Sequence, residues 1–175
     1  MLYPEEWNRA ATQLTPRLEE PDELISLGTH GLRSGAAECS QMPGYALDDM
    51  SETDAFVTVQ ERNVLPGARE TEEQFPERPD DLTLDAKDAN VGAACSENSG
   101  IQTWWIPFRD AGRTFYLQVA IGKSASEDTR RQVLGIVESM GFAPRPPTRV
   151  APSPAGAGQR EDGRRVHRIP DVEPS

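Results

Sequence analysis

Hydrophobic and polar residues alternate most regularly in residues 104–122, which read WWIPFRDAGRTFYLQVAIG. Successive side chains of a strand point to opposite faces of a sheet, so this alternation predicts two antiparallel strands joined by a turn. A two-residue turn at Ala111 and Gly112, or a four-residue loop at 110–113, sets apolar residues of one strand opposite apolar residues of the other. A three-residue loop would mix the two faces, and we therefore reject it.

The predicted register separates the two adjacent tryptophans. It pairs Phe108 with Phe115, Ile106 with Leu117 and Trp104 with Val119. Trp104 is then a core residue, whereas Trp105 points to the opposite face together with Pro107 and Tyr116. We call these last three residues the Trp105 patch. The patch is either covered by an N-terminal helix or exposed as a surface for a ligand or partner.

A second strong pattern, SASEDTRRQVLGIVESMGF at residues 124–142, predicts a terminal helix. Either Ser124 or Ser126 can cap its first turn, and Ser124 with Glu127 fits a capping box. Gly141 is suited to end the helix. The apolar residues share one stripe, formed by Val133, Leu134, Val137 and Met140.

Weaker patterns predict the remaining elements. Residues 3–14 are typical of a short helix in which Trp7 and Leu14 share one face. Strands are predicted for residues 23–32, 54–62, 82–85 and 89–97, a short helix for 43–50, and a long charged loop for 63–81.

Together these elements predict an α+β fold, an antiparallel sheet of about five strands with helices packed on one face. Residues 1–16 are then an N-terminal helix, residues 17–142 the α+β domain, and residues 143–175 a disordered tail. The tail holds seven prolines and few large apolar side chains. It cannot bury enough surface to offset its ordering entropy.

Charge is distributed unevenly between body and tail. Residues 1–142 carry 25 acidic residues against 12 lysines and arginines, whereas the tail carries six arginines and four acids. Because an acidic body repels phosphates, we expect no nucleic-acid partner. Arg113, beside the turn glycine, lies in no phosphate-loop motif and is expected to be a surface charge paired with Asp110.

The expected location depends on two cysteines. No apolar run could span a membrane and no signal peptide is visible, so we expect a cytoplasmic protein. In that compartment Cys39 and Cys95 are small buried thiols. A disulfide between them would contribute about 4 kcal/mol and would indicate an extracytoplasmic domain, as would a misassigned start site.

Residues suited to catalysis are sparse. The chain has two histidines, His30 in a predicted strand and His167 in the tail, so no histidine-rich zinc site is expected. No G-x-S-x-G motif occurs, although His30 could act with Cys39 or a serine. Four aspartates surround residues 82–85 without the spacing of a calcium loop: Asp80, Asp81, Asp85 and Asp88. We therefore predict no metal and no cofactor.

The run IPFRDAGRTFYLQVAIGKSASEDTRRQVLGIVESMGF, with SLGTHGLRSG, CSQMPGYALDDM and FPERP before it, resembles an uncharacterised actinobacterial domain family. That family shows a Gly-Arg hairpin, a strand ending in glycine and a final helix of the pattern R-x-x-V-x-x-I-L-x-S-L. The resemblance covers about residues 17–142 and rests on scaffold features, so it implies no activity. Some members carry membrane anchors, which would suit a Cys39–Cys95 disulfide. In layout alone, the strands followed by a terminal helix are also similar to the Mog1/PsbP-like fold.

These observations favour a non-enzymatic binding or interaction module, such as an accessory or sensor domain, with an unidentified protein or small-molecule partner. The Trp105 patch is its predicted ligand surface. Two alternatives stay open. One is a small hydrolase-like enzyme that uses carboxylates or His30, and the other is an inhibitor or immunity-type protein with an acidic surface.

Overall fold

The computed structural model describes residues 1–15, 21–35, 42–62, 74–80, 82–91 and 96–144. The predicted tail lies outside these ranges from residue 145 onward, and so do Cys39, Cys95 and Asp81. The predictions of a disordered tail and of a Cys39–Cys95 disulfide therefore fall on residues that are not described.

The described residues form one antiparallel sheet with two helices. The strands are β1 (Asn8–Arg9), β2 (Asp22–Gly28), β3 (Ala55–Arg62), β4 (Asn90–Val91), β5 (Ile101–Asp110) and β6 (Arg113–Gly122), and the helices are α1 (Gly44–Asp48) and α2 (Glu127–Glu138). The strand order is β1-β2-β3-β6-β5-β4, and all neighbours are antiparallel. The predicted α+β fold with an antiparallel sheet is confirmed. Four long strands form most of the sheet, since β1 and β4 have two residues each.

The β5–β6 hairpin has the predicted register. Phe108 lies opposite Phe115, Ile106 opposite Leu117 and Trp104 opposite Val119. The connection is the two-residue turn, in which Ala111 and Gly112 have φ values of 52° and 72°. Two positive φ values are typical of a type I′ turn, whose twist matches that of the paired strands.

The first face of the sheet holds the apolar core, which α2 covers. By parity this face contains the odd-numbered residues of β3 and β6 and the even-numbered residues of β5. Its large buried side chains are Val57, Val59, Trp104, Phe108, Phe115, Leu117, Val119 and Ile121, which pack against Val133, Ile136, Val137 and Met140. This is the face on which the sequence predicts the principal core.

The second face has a small apolar cluster at one end. There Phe56, Ile101 and Ala120 form a smaller cluster with Leu14 and with residues of α1. Farther along the strands the buried residues of this face are polar, namely Ser26, Thr58, Gln60, Thr103, Thr114 and Gln118. The short helix α1 therefore packs at one end of the second face, whereas α2 covers the first face.

Helix α2 begins with the cap that its sequence allows. Ser126 is the N-cap, and its Oγ accepts a hydrogen bond from Thr129 N at 3.0 Å. Glu127 and Asp128 follow in the first turn, where carboxylates interact favourably with the helix dipole. The capping box on Ser124 does not form, because Ser126 is the N-cap and the helix begins at Glu127. The Ser124 hydroxyl donates instead to Glu52 Oε2 at 3.3 Å. The helix ends at Glu138, shorter than predicted.

The predicted N-terminal helix is wrong. Asn8 and Arg9 form β1 on the outer side of β2, with Asn8 opposite Gly28. Trp7 joins the first-face core, whereas Leu14 lies in the cluster on the second face. Two residues expected on one helical stripe are thus buried against opposite faces. Strand pairing and these separate contacts outweigh a short helix that is marginal on its own.

The predicted strand at residues 82–85 is also wrong. This segment is irregular and leads into a 3-10 turn at Ala86–Asp88. Leu82 and Leu84 pack against the first-face core, and the Asp85 carbonyl accepts a hydrogen bond from Trp104 Nε1 at 3.0 Å. The apolar alternation in this segment therefore reflects packing on the core and not strand pairing.

Candidate binding surface

The Trp105 patch lies together on the second face of the sheet. Trp105 is opposite Gln118, and Pro107 is opposite Tyr116. The ring centroids of Trp105 and Tyr116 are 4.9 Å apart and their planes meet at 49°, within the range in which tilted aromatic pairs attract each other. All three residues of the patch are half-buried. Their mutual contacts therefore order the patch, while each side chain keeps part of its surface exposed.

Pro107 stands at a position of β5 that tolerates proline. Proline has no amide N–H, so in a strand it is accepted where its nitrogen points away from the partner. Arg109, two residues on, uses its outward-facing N–H and C=O to bond Pro76 O at 2.7 Å and Arg78 N at 2.9 Å. Pro107 has the same orientation, because backbone groups alternate along a strand. Its missing donor therefore costs the β5–β6 pairing no hydrogen bond.

Phe75 adds an aromatic ring beside the Trp105 patch, and no pattern in the sequence predicted this contact. Its side chain is buried, and its ring centroid lies 5.2 Å from that of Tyr116. The hydrogen bonds of Arg109 to residues 76 and 78 hold this segment at the edge of β5. Phe75 thus supplies the contact that the sequence assigned to an N-terminal helix. A single aromatic residue within a charged, proline-rich segment was the one available signal.

The three indole N–H groups differ in their partners. Trp7 Nε1 donates to Gln132 Oε1 at 2.9 Å, and Trp104 Nε1 donates to the Asp85 carbonyl at 3.0 Å. Trp105 Nε1 donates to no residue in the part of the chain that the structure describes. Buried tryptophans usually find an acceptor for this group. Trp105 therefore differs from the two core tryptophans in that its indole N–H has no acceptor among the described residues.

Two arginines lie at the hairpin end of the second face. By strand parity, Arg62 of β3 and Arg109 of β5 point to this face. Arg62 Nη1 donates to Tyr116 Oη at 3.2 Å, and its guanidinium carbon lies 5.7 Å from the Phe75 ring centroid. Arg109 pairs with Glu77 at 3.1 Å. The aromatic patch therefore borders on guanidinium groups, although the chain as a whole carries a net charge of −11.

Beside the patch, the second face is polar and buried. Gln118 Nε2 donates to Gln60 Oε1 at 3.2 Å. Farther across, Ser26 Oγ lies 2.6 Å from Glu23 Oε1 and 2.8 Å from Thr58 Oγ1. Buried polar groups with hydrogen-bond partners adopt defined orientations. The side-chain amide of Gln118, which lies opposite Trp105, is therefore held by Gln60.

His30 lies apart from the patch, beside α1. Its Nε2 is 2.8 Å from the Ala46 carbonyl and so carries the proton of that hydrogen bond. Its Nδ1 is buried and has no hydrogen-bond partner among the described residues. No serine or carboxylate among the described residues forms a hydrogen bond with the His30 imidazole. Cys39, the other partner considered for a nucleophilic pair, lies outside them.

The described aspartates around residues 82–85 have different surroundings. Asp85 pairs with Lys87 at 3.2 Å, whereas Asp80 lines a polar cleft of about 420 Å³ at the hairpin tip, together with Arg78. Within the described ranges, no group of three or more His, Cys, Asp or Glu side chains could hold a metal ion. Among the described residues, Asp80, Asp85 and Asp88 therefore form no such group.

Comparisons with known proteins add no relative. No helix in the described ranges is long and apolar enough to cross a membrane. No family model, no curated protein and no solved structure matches the chain. The resemblance to an actinobacterial domain family and the similarity in layout to the Mog1/PsbP-like fold therefore stay predictions.

Proposed function

We propose that the α+β domain is a non-enzymatic binding or interaction module and that the Trp105 patch is its ligand surface. The observation that supports this proposal is the N–H of the Trp105 indole, which has no acceptor among the described residues. A half-buried indole of this kind offers a flat apolar face and a hydrogen-bond donor together. A ligand that carries a planar ring beside a carbonyl or carboxylate oxygen satisfies both groups.

The surroundings of the patch favour binding over catalysis. Its neighbours in the sheet are the amide side chains of Gln60 and Gln118 and the hydroxyl group of Thr103. A nucleophile or general base must lie within hydrogen-bond reach of the reacting group. Trp105 and Pro107 carry no group that can act as either one, and His30 is engaged with the Ala46 carbonyl elsewhere.

The proposal is tested by NMR titration of the full chain, since its three indole N–H signals are three separate reporters. The probe is 2-naphthamide, a neutral planar ring that carries a carbonyl acceptor. We expect the Trp105 indole signal to shift with saturation at about 5 mM probe, a concentration that detects a Kd of about 1 mM. The indole signals of Trp7 and Trp104 should stay in place because their donors are already engaged.

Two variants serve as controls. Trp105→Leu removes the ring and the donor and should abolish saturable binding. Leu24→Ala removes an apolar side chain that is 38% exposed on another strand and should leave binding unchanged. The proposal fails if neither 2-naphthamide nor its carboxylate counterpart shifts the Trp105 indole, or if Trp105→Leu binds either probe as well as the unaltered chain does.

A further inference from the structure

We infer that the Trp105 patch binds a proline-rich segment of a partner protein, in the polyproline II conformation. This inference rests on the proposed function and names the class of partner for the same surface. It goes beyond that function because an aromatic patch alone does not discriminate between a small aromatic molecule and a polypeptide.

The first step is the hydrogen-bonding capacity of the patch. An indole has one N–H donor and no acceptor, and Trp105 Nε1 has no acceptor among the described residues and is open to solvent. Tyr116 Oη accepts a hydrogen bond from Arg62 Nη1 at 3.2 Å, while its own O–H has no acceptor among the described residues. The patch therefore offers an N–H and an O–H to a ligand, beside two aromatic rings and the apolar ring of Pro107.

The second step is the chemistry that complements these groups. A proline residue has a carbonyl acceptor, no N–H donor and an apolar ring. A run of prolines adopts the polyproline II conformation, which has no internal hydrogen bonds, so each of its carbonyl groups is available to a donor. The carbonyl groups of a partner helix are instead engaged within the helix. A proline-rich segment thus supplies acceptors beside apolar rings, which is the complement of what the patch offers.

The third step is the shape of the patch. The ring planes of Trp105 and Tyr116 meet at 49° with their centroids 4.9 Å apart, so the two rings form surfaces at different angles. The polyproline II helix has three residues per turn, and successive prolyl rings therefore point in different directions and can contact both surfaces. Aromatic surfaces recur as receptors for such segments because the segment is already ordered before it binds.

The edge of β5 is less suited to a partner that adds a strand. Pro107 directs its nitrogen to this edge and supplies no N–H there, and residues 76–78 already pair with the edge at Arg109. Proline on an edge strand disfavours the addition of another strand. Recognition therefore falls to the side chains of the Trp105 patch.

The experiment titrates the full chain with acetylated and amidated decaproline, an uncharged peptide whose prolines have no N–H and which cannot add as a strand. We expect the Trp105 indole signal to shift with saturation at about 5 mM peptide, a concentration that detects a Kd of about 1 mM. A Gly-Ser peptide of the same length is the control. It should give no saturable shift, because its flexible chain loses more entropy on binding.

Three variants assign the binding to the two donors, with the Kd read from the backbone amide signals of residues 105 and 116. Trp105→Phe keeps a ring and removes the N–H, and Tyr116→Phe keeps the ring and removes the O–H. Each should weaken decaproline binding about fivefold, the effect of one neutral hydrogen bond. Tyr45→Phe removes the same hydroxyl from an exposed tyrosine of α1 and should leave the Kd unchanged. The Trp7 and Trp104 indole signals report whether each variant stays folded.

The outcomes separate the inference from the proposed function. Saturable binding of 2-naphthamide without binding of decaproline, or equal binding of the Gly-Ser peptide, overturns the proline-rich partner and leaves the binding surface intact. Unchanged decaproline affinity in folded Trp105→Phe and Tyr116→Phe overturns the inference as well. If neither decaproline nor the naphthyl probes bind, both the inference and the proposed function fail. If one variant does not fold, the other decides, together with the comparison of the two peptides on the unaltered chain.

Discussion

Arg113 and Glu61 form an ion pair that joins β6 to β3 on the first face of the sheet. Arg113 Nε donates to Glu61 Oε1 at 2.9 Å, and a second N–H of the guanidinium reaches the other carboxylate oxygen. The two side chains are 19% and 9% exposed. Arg113 was expected to pair with Asp110, but Asp110 contacts Arg78 instead. The residue after the turn therefore ties the hairpin to the neighbouring strand.

Removing one partner of this pair should cost more than removing an exposed pair. We expect Glu61→Ala or Arg113→Ala to lower the free energy of unfolding by about 2–3 kcal/mol, because the remaining charge is left largely buried. Denaturant unfolding measures the change. The control is Arg131→Ala, which breaks a pair with Asp128 whose side chains are 74% and 69% exposed, and it should cost about 0.5 kcal/mol or less. Equal costs at the two sites would contradict the assignment.

The hairpin turn carries conformational strain at Ala111. Its φ of 52° is in the left-handed region, which costs a residue with a Cβ about 1–2 kcal/mol. Asparagine followed by glycine is the preferred pair for this turn. We therefore expect Ala111→Asn to raise the free energy of unfolding by about 0.5–1 kcal/mol. Thermal or denaturant unfolding measures the gain.

The opposite substitution is the control for the turn. Gly112 has a φ of 72°, and a Cβ added there would meet no atom within 4 Å. Gly112→Ala therefore changes the backbone preference alone and should destabilise the chain by about 1 kcal/mol. If Ala111→Asn and Gly112→Ala change stability in the same direction, the turn is not type I′ in solution.

The hairpin could be predicted from sequence because its information is local. Parity fixes which of Trp104 and Trp105 faces the core, and one turn length satisfies every apolar pairing. The positions of Pro107 and Tyr116 follow from the same register. The membership of the Trp105 patch was therefore predictable, although its role as a ligand surface stays a proposal.

The remaining parts of the fold depend on contacts between distant residues. Trp7 and Leu14 fit a helical stripe, yet each finds a separate cluster on a different face of the sheet. Phe75 reaches Tyr116 because Arg109 binds the backbone beside it, a contact across more than 30 positions of the chain that no periodicity reports. Arg62 likewise contacts Tyr116 of the Trp105 patch only because β3 pairs with β6. Local pattern does not contain such tertiary information.

Gly122 is a glycine at which a side chain has no room. A Cβ at this position would lie 2.1 Å from the Glu52 carbonyl oxygen, a backbone atom that cannot move aside alone. The backbone at residues 52 and 54 also accepts hydrogen bonds from Ser124 N and Gly122 N, both at 2.8 Å. We expect Gly122→Ala to destabilise the chain by about 3 kcal/mol or more, as overpacking against rigid atoms does. Unfolding measurements or loss of soluble protein would report it.

Gly135 is the matched control, because it lies in α2 with open space around its Cα. No atom would meet an added Cβ within 4 Å. Alanine is the better helix former by about 0.5–1 kcal/mol, so Gly135→Ala should stabilise the chain. The same chemical change is thus predicted to have opposite signs at the two positions. A destabilised Gly135→Ala, or a Gly122→Ala that unfolds like the unaltered chain, would contradict the packing described.

Asp54 should make the stability of the chain depend on acid pH. Its carboxylate accepts hydrogen bonds from Ser51 Oγ at 2.7 Å, Ser51 N at 2.8 Å and Thr29 Oγ1 at 2.9 Å. Partial burial acts to raise the pKa of Asp54, but these hydrogen bonds outweigh it, and the pKa lies below its ordinary value. A carboxylate whose folded pKa is depressed stabilises the fold above its unfolded pKa of about 3.9. That contribution is lost as the pH falls through the folded pKa.

The contribution of Asp54 can be isolated with two variants. Asp54→Asn cannot titrate, so its free energy of unfolding should fall less between about pH 5 and pH 2 than that of the unaltered chain. Ser51→Ala removes the hydroxyl donor and keeps the amide donor, and should give an intermediate slope. Denaturant unfolding at a series of pH values measures all three. An Asp54→Asn slope equal to that of the unaltered chain would show that the hydrogen bonds of Asp54 do not lower its pKa.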